Sequence, residues 1–383
     1  MIYKQFQDDR ISALGLGCMR LPVLENDNTR IDEDKVAEMV AYAFRHGINY
    51  FDTAYGYHGK NSERVMGKVL KNYPRDSFYL ATKFPSYDVS FFGREEEIFA
   101  EQLGKLQTDY VDFYLMHNVN ERNIASYTND QFRTVEYFKE QKAAGRIRHL
   151  GFSCHGLYDC LETFLKAHGK DMEFCQLQLN WLDWDLQACK RKVELVRSYG
   201  IPVITMEPLR GGKLVDLPES VTEKLKEAAP DRSTVEWAFR FVQSVPDVMV
   251  VLSGMSNMEQ LKDNCRIFET DEPLNETERE LLFRIGQELT GNGTLPCTAC
   301  RYCTTYCPME LNIPAIITEY NGTKFGEVSW LTRMYFQMLP KEKWPTSCIG
   351  CGSCSAVCPQ QIDIPAMMAE FGPFVESLFE AKA

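Results

Sequence analysis

The sequence predicts an α/β chain: a parallel (β/α)8 barrel over residues 1–270, a connecting helix over 271–290 and a small, mainly helical, cysteine-rich domain over 291–383. Three observations carry this. Before residue 270, short apolar runs rich in β-branched or aromatic residues alternate with longer amphipathic segments, the rhythm of successive β/α units. Beyond residue 290 lie eight of the 14 cysteines. Across 383 residues, 44% hydrophobic and 25% charged content supplies a large core and excludes disorder and collagen-like repetition.

Strands are predicted at Ala13 to Gly17, Asn49 to Asp52, Phe78 to Thr82, Tyr110 to Met116, Ile147 to Gly151, Phe174 to Leu177, Pro202 to Thr205 and Val248 to Leu252. Helices are predicted between them, at Asp32 to His46, Glu63 to Lys71, Arg94 to Leu106, Asp130 to Ala144, Leu186 to Ser198 and Thr234 to Gln243, each with apolar residues three and four apart. Eight units over this length favour a closed barrel of the TIM type over an open sheet. An open dinucleotide-binding sheet also lacks its fingerprint: Gly15-Leu16-Gly17-Cys18-Met19-Arg20 meets only half of G-x-G-x-x-G, and Pro22 follows where a helix should begin. Glu219 to Glu227 reads as a solvated helix face, Asp271 to Leu289 as the connecting helix, and Gly291-Asn292-Gly293 as its hinge.

A formal charge of −12, from 54 acidic against 42 basic residues, argues against a nucleic-acid partner, because tracking phosphates needs a basic stripe. No run of about 18 apolar residues marks a membrane span, and the start MIYKQFQDDR has no charged-then-apolar leader pattern. The expected location is the cytoplasm, where thiols stay reduced and a dense cysteine cluster points to metal.

The tail reads Cys297-x2-Cys300-x2-Cys303-x3-Cys307-Pro308 and repeats, 51 residues on, as Cys348-x2-Cys351-x2-Cys354-x3-Cys358-Pro359. The offset continues through Ile313-Pro314-Ala315 and Ile364-Pro365-Ala366, so a whole unit is duplicated. Three cysteines spaced by two residues can wrap one corner of a cubane cluster, while the fourth, followed by proline, is directed away. The run resembles the two-cluster [4Fe–4S] ferredoxins, whose fourth cysteine serves the other cluster. That resemblance implies one cluster on Cys297, Cys300, Cys303 and Cys358 and a second on Cys348, Cys351, Cys354 and Cys307. The segment between the repeats, helical around Trp330 to Met338, marks a longer ferredoxin module. Zinc is the competing metal, but zinc sites divide their thiolates into two separated pairs. The other six cysteines, Cys18, Cys154, Cys160, Cys175, Cys189 and Cys265, have no ligand spacing and read as buried hydrophobes.

Barrels place chemistry at the C-terminal ends of their strands. Asp52 ends the second predicted strand, Lys83 follows the third and His117 the fourth, with Tyr57 five residues beyond Asp52. Each alone reads as a cap, a packed ring or a solvated end; at successive strand ends they read as a site. Here the chain resembles the aldo-keto reductase superfamily, over about residues 5 to 270. The resemblance rests on Leu14-Gly15-Leu16-Gly17, Asp52-Thr53-Ala54-Tyr55-Gly56-Tyr57, Ala81-Thr82-Lys83, Tyr114-Leu115-Met116-His117, Gly151-Phe152-Ser153 and Glu207-Pro208-Leu209 with Gly211-Gly212. It implies hydride transfer from NADP or NAD to an aldehyde or ketone, or the reverse on an alcohol, with a catalytic tetrad on Asp52, Tyr57, Lys83 and His117. The chemistry agrees: a phenol with a pKa near 10 is a weak acid, and a lysine balanced by an aspartate would lower that value.

By the same resemblance Ser153 and Gln176 hold the nicotinamide carboxamide and Met206 packs on its ring, with Cys154 where an asparagine is common. The segment Leu252-Ser253-Gly254-Met255-Ser256-Asn257, running into a helix that ends near Asn264, offers N–H groups for phosphate. Gly254 and Gln260 occupy positions where the family carries cations for a 2′-phosphate, so weak selection for NADP, or a preference for NAD, is expected. Trp181, Asp183 and Trp184 are candidates for the substrate mouth. Two competing readings are an electron carrier with the barrel as a docking scaffold, and a reductase with purely structural clusters. Since hydride moves two electrons and a cluster one, coupling the halves needs a flavin-like intermediary or a redox protein partner, a flavoprotein or a ferredoxin.

Overall fold

The computed structural model describes the chain except for residues 130, 292, 296, 298–301, 325–327, 329, 359 and 381–383. It divides into two compact units, Met1–Arg279 and Glu280–Ala383, with the helix Glu276–Gly291 spanning the division.

The first unit opens with an antiparallel hairpin, β1 (Tyr3–Phe6) and β2 (Asp9–Ser12). Eight parallel strands follow: β3 (Leu14–Gly17), β4 (Tyr50–Asp52), β5 (Tyr79–Phe84), β6 (Val111–Val119), β7 (Ile147–Cys154), β8 (Phe174–Gln178), β9 (Val203–Met206) and β10 (Val248–Ser253). They pair in sequence order and close when β10 bonds to β3, so no edge is left open. Helices such as Glu33–Arg45, Ser62–Leu70, Glu95–Leu106, Tyr158–His168 and Thr234–Gln243 return the chain between strands. Glu33–Arg45 starts where the Asp32 carboxylate accepts the Lys35 N–H and buries Val36, Met39, Val40 and Ala43, one face at helical spacing.

Phe6 and Ile11 of the hairpin join Tyr50, Phe113 and Phe174 in the barrel core. The Phe113 ring lies 5.8 Å from Phe6, 5.1 Å from Tyr50 and 5.0 Å from Phe174, so aromatic side chains fill the N-terminal half of the barrel. His149 locks the hairpin there, with Nε2 2.6 Å from Asp9 and Nδ1 3.0 Å from Glu173. No hairpin is legible in YKQFQDDRIS, whose strands are four residues each and mostly polar, joined through Gln7 at φ 51°.

β5 and β6 run further than their apolar cores predict, through Lys83, which pairs with Leu115, and through His117, which sits in an irregularity of the ladder between Met116 and Val119 before pairing resumes with Cys154. Leu186 to Ser198, expected as one helix, is two, Asp183–Leu186 and Cys189–Ser198, broken at Ala188 with φ 52°. The helix expected from Asp130 begins at Thr134, and Asp130 lies outside the described residues.

The second unit is helical. The duplicated motif appears as matched pieces: short helices Tyr302–Thr305 and Ser353–Ala356, and longer helices Ile313–Thr323 and Ile364–Ser377 that each carry proline in the first turn, where no N–H partner is lost. Ile316, Phe336, Trp344 and Phe371 form the core, and the Trp344 indole donates to the Phe336 carbonyl at 3.0 Å. Glu370 of one repeat accepts from Tyr320 and Lys324 of the other, at 2.9 and 2.7 Å, tying the two together. The segment Trp330–Met338 is helical, as predicted. Among the described residues no helix is long and apolar enough to cross a membrane.

Candidate active site and cluster ligands

Four strand ends bring the sequence-predicted polar residues together. Lys83 on β5 is fully buried; its ammonium donates to the Asp52 carboxylate at 2.5 Å and to the Thr53 carbonyl at 2.8 Å. It also stands 5.2 Å from the Tyr57 ring centroid. On the far side, the Tyr57 and His117 rings lie edge to face at 6.0 Å. Tyr57 and His117 are half-buried, while Asp52 and Lys83 beneath them are closed off.

The surroundings hold these groups still. Tyr57 opens the turn Tyr57–Lys60, pinned by His58, which accepts the Leu21 N–H at 3.1 Å and donates to the Asn28 carbonyl at 2.8 Å. Behind Lys83, Gln102 donates to its carbonyl at 3.0 Å and to buried Glu63 at 2.8 Å. Glu63 also accepts from Thr82 at 2.6 Å and pairs with the Lys105 ammonium at 2.6 Å. Ser86 donates to the His117 carbonyl.

Burial opposes charge on Lys83, but Asp52 and Tyr57 outweigh it and hold the ammonium above its ordinary range. Burial raises the Tyr57 phenol; Lys83 counters that, yet the net direction is upward, against the sequence-based expectation of a lowered value. The reason is burial, the largest influence, with Asp52 offsetting part of the Lys83 field. Burial, then Lys83 and His155, push His117 well below the usual histidine range, so its ring is neutral. Its Nδ1 has no hydrogen-bond partner among the described residues. A neutral imidazole and a protonated phenol, both partly exposed, therefore stand over a buried cation.

The remaining expected residues fall into three groups. Ser153 and Gln176 are neighbours in register on β7 and β8. Ser153 Oγ accepts the Asn118 N–H at 2.8 Å, and the Gln176 amide donates to Asp52 at 3.0 Å, so Gln176 braces the Lys83 counter-ion. Met206 ends β9, partly exposed. In the loop after β10, the Ser256 N–H goes to Gln260 at 2.8 Å, Asn257 caps Gln260 at 2.9 Å, and buried Asn264 donates to Ser253 at 3.0 Å. Two donors expected to face phosphate are thus satisfied internally. Gly254 has a further role: a Cβ there would lie 3.2–3.3 Å from the Arg20 side chain, which crosses the loop and reaches the Gly211 carbonyl at 3.5 Å. Arg20 is thus a cation beside a loop where Gly254 and Gln260 carry none. The candidates for the mouth turn inward instead. Asp183 is buried in an ion pair with Arg210 at 3.0 Å, Trp181 is buried, and Trp184 packs edge-on against Phe241.

In the second unit a cavity is lined by Cys307 together with Cys348, Cys351 and Cys354, with Leu311, Ile313 and Met368 among its apolar walls. The fourth cysteine of one repeat therefore stands with the first three of the other. Among the described residues no three ligating side chains converge as a single ion requires. Cys303 is buried, and Cys297 and Cys358 are half-buried. Cys300 lies outside the described residues.

The aldo/keto reductase family profile matches residues 13–282, well over half of the chain. The chain belongs to the aldo/keto reductase family. A 4Fe-4S dicluster domain profile matches residues 296–362 of this reductase. It is 27% identical over 287 residues to the oxidoreductase YqkF of Bacillus subtilis, a match spanning 67% of this chain and 87% of YqkF. It resembles the holo form of the aldo-keto reductase AKR11C1 from Bacillus halodurans at TM-score 0.61 and 27% identity, over 74% of this chain and 96% of that one. An aldo-keto reductase from Klebsiella pneumoniae in complex with NADPH shares the fold, with TM-score 0.60 and 19% identity over 74% and 95% of the two chains. The reductase is thus an oxidoreductase-type barrel with a ferredoxin-like iron–sulfur domain, and its family acts on small-molecule carbonyls. Arg20 and His58 escaped the sequence reading because their partners, Gly211, Gly254 and Asn28, are brought to them only by the fold.

Proposed function

We propose that the barrel transfers hydride between NADPH or NADH and an aldehyde or ketone, with Tyr57 as the proton donor, and that the tail holds two [4Fe–4S] clusters. The observation that carries the first half is the buried Lys83–Asp52 pair set beneath Tyr57 and opposite a neutral His117. The residues fit a nicotinamide nucleotide. Ser153, Gln176 and Met206 stand at adjacent strand ends, and Arg20 over Gly254 offers a cation to phosphate. Bound nicotinamide supplies or accepts the hydride.

The chain's own residues do the rest. His117 donates an N–H to the carbonyl oxygen and fixes its direction. As that oxygen takes on negative charge, the Tyr57 hydroxyl gives it a proton, producing the alcohol. The phenolate left behind is stabilised by Lys83 until solvent returns the proton, and Asp52, braced by Gln176, keeps the ammonium in place. Because burial keeps the phenol protonated, alcohol oxidation, which needs the phenolate, should gain rate as pH rises.

For the tail, the cavity containing Cys307, Cys348, Cys351 and Cys354 supports crossed ligation, with Cys297, Cys300, Cys303 and Cys358 holding the other cluster. Clusters there would pass single electrons to a flavoprotein or ferredoxin partner, and the boundary between the halves falls in the helix Glu276–Gly291. The test is Tyr57→Phe in the anaerobically purified protein. Carbonyl reduction should fall about 100- to 10,000-fold with the nucleotide dissociation constant retained. Near-normal turnover would remove Tyr57 from the role.

A further inference from the structure

The strand that carries His117 loses its ladder at that residue. Met116 pairs with Phe84 on one side and with Phe152 on the other, but pairing with β7 resumes only at Val119, opposite Cys154, and Asn118 in between turns to φ 56°. A side chain on such an unpaired stretch is aimed by whatever else holds it. The imidazole has no hydrogen bond on its inner side to do so, since buried Nδ1 finds no partner among the described residues.

Two consecutive residues of the loop after β5 take over. Ser86 donates to the His117 carbonyl, and its own carbonyl accepts the amide of buried Asn123 at 2.9 Å. The same amide reaches the Asn118 carbonyl at 2.9 Å, so the backbone of the irregularity is tied to this loop. Tyr87 takes the ring. Its centroid lies 5.6 Å from that of His117 with the planes at 86°, an edge-to-face contact, beside the 6.0 Å and 79° of Tyr57.

Tyr87 is itself placed from two directions. Phe91, in the turn Val89–Phe91, lies 6.5 Å from the Tyr87 ring and 5.5 Å from that of Tyr55, and Asp88 caps the turn by accepting the Ser90 N–H at 2.9 Å. The hydroxyl end lies over Gly56, the residue before Tyr57. A Cβ on Gly56 would strike the Tyr87 hydroxyl and lie 3.2 Å from its Cζ, and the three atoms nearest to it all belong to Tyr87. With φ at −89°, Gly56 is needed there for space and not for backbone conformation.

We propose that Tyr87 is a positioning residue for His117, its ring holding the imidazole in the orientation from which the N–H meets the substrate carbonyl. Ser86 fixes where His117 is; Tyr87 fixes which way it points. The consequence for turnover rests on the carbonyl-reductase reading, whereas the clamp does not.

The test follows 4-nitrobenzaldehyde reduction with NADPH by the cluster-loaded, full-length protein, beside carbon-13 relaxation of the His117 ring in histidine-labelled protein with NADP. Among six histidines, that signal is assigned by its loss in His117→Gln. Tyr87→Ala should lower kcat by about 10- to 100-fold, the cost of misplacing one group by an ångström, with KM little changed. Tyr87→Phe, which keeps the ring, should keep most of the rate. Gly56→Ala should mimic Tyr87→Ala by pushing the phenol off the imidazole, and adding Tyr87→Phe should regain most of that loss, because no hydroxyl then meets the new methyl. The His117 ring should be rigid in wild type and Tyr87→Phe and mobile in Tyr87→Ala. If the aldehyde is not turned over but ring mobility follows Tyr87 in this way, the clamp stands and the reductase reading fails. A rigid His117 ring in Tyr87→Ala, equal losses of kcat in Tyr87→Ala and Tyr87→Phe, or a Gly56→Ala loss that Tyr87→Phe leaves untouched overturns the proposal.

Discussion

Lys83 and Asp52 are each too deeply buried to be tolerated alone. Removing one partner of such a pair strands the other charge in a poor solvent, at a cost of about 3–5 kcal/mol. Lys83→Met should therefore destabilise the barrel by that order in urea unfolding followed by tryptophan fluorescence, and adding Asp52→Asn should recover most of the loss. Both variants should be inactive, which separates the pair's structural cost from its chemistry; a double variant no more stable than the single one would show that the charges are not coupled. His155 gives a second expectation. Its folded-state pKa, about 4, lies below the ordinary 6.5, so the unfolded chain takes up the proton first. Stability is then fully present above pH 6.5 and declines as pH falls toward 4, by about 1.4 kcal/mol per pH unit, or roughly 3 kcal/mol in all. His155→Gln should flatten that stretch of the curve, measured as the difference in urea midpoints at pH 7 and pH 4.5.

Two glycines show how closely the helices are fitted around the strand that carries Lys83. A Cβ on Gly67, in the helix Ser62–Leu70, would lie 2.4 Å from the Lys105 carbonyl oxygen and 2.7 Å from the Leu106 carbonyl carbon, backbone atoms that cannot step aside. Gly67→Ala should cost about 1–3 kcal/mol and lower kcat, because Glu63 and Gln102, which hold the Lys83 segment, sit on the two helices pushed apart. Gly104, on the neighbouring helix, has nothing within 4 Å of its would-be Cβ. Gly104→Ala should stabilise by about 0.5–1 kcal/mol through helix propensity alone, read in the same unfolding assay. Elements of this kind were legible in the sequence wherever a run was apolar and periodic: every barrel strand overlaps the short apolar run that predicts it. What was not legible obeys a different physics. β5 and β6 continue past their apolar cores because ladder hydrogen bonds do not need apolar side chains, and the hairpin of β1 and β2 gains its stability from Phe6 and Ile11 entering a core built by distant strands. The four polar residues were visible because they recur at strand ends, whereas Arg20 shows its neighbours, Gly211 and Gly254, only once the fold has brought those loops to it.

At the scale of the whole chain, the duplicated tail should behave as one metal-dependent unit. If the fourth cysteines cross, Cys358→Ser should leave the same residual paramagnetic signal as Cys297→Ser, and Cys307→Ser the same as Cys348→Ser, although each matched pair spans both repeats. Matching within repeats instead would mean that each binds its cluster independently, and zinc without acid-labile sulfide would replace iron altogether. Stripping the metal should open the chain to protease beyond residue 290 while the barrel, with its own aromatic core, stays intact. That core has another effect. With Phe6 and Ile11 plugging the floor and His149 bolting them down through Asp9 and Glu173, the barrel is closed at its N-terminal end, and on the proposed reading nucleotide and carbonyl compound both enter from the C-terminal end. Whatever lodges deepest must arrive first and depart last. On the proposed reading, with the nucleotide as the innermost occupant, steady-state patterns should be ordered, and turnover should be paced by how quickly that occupant finds its way back out.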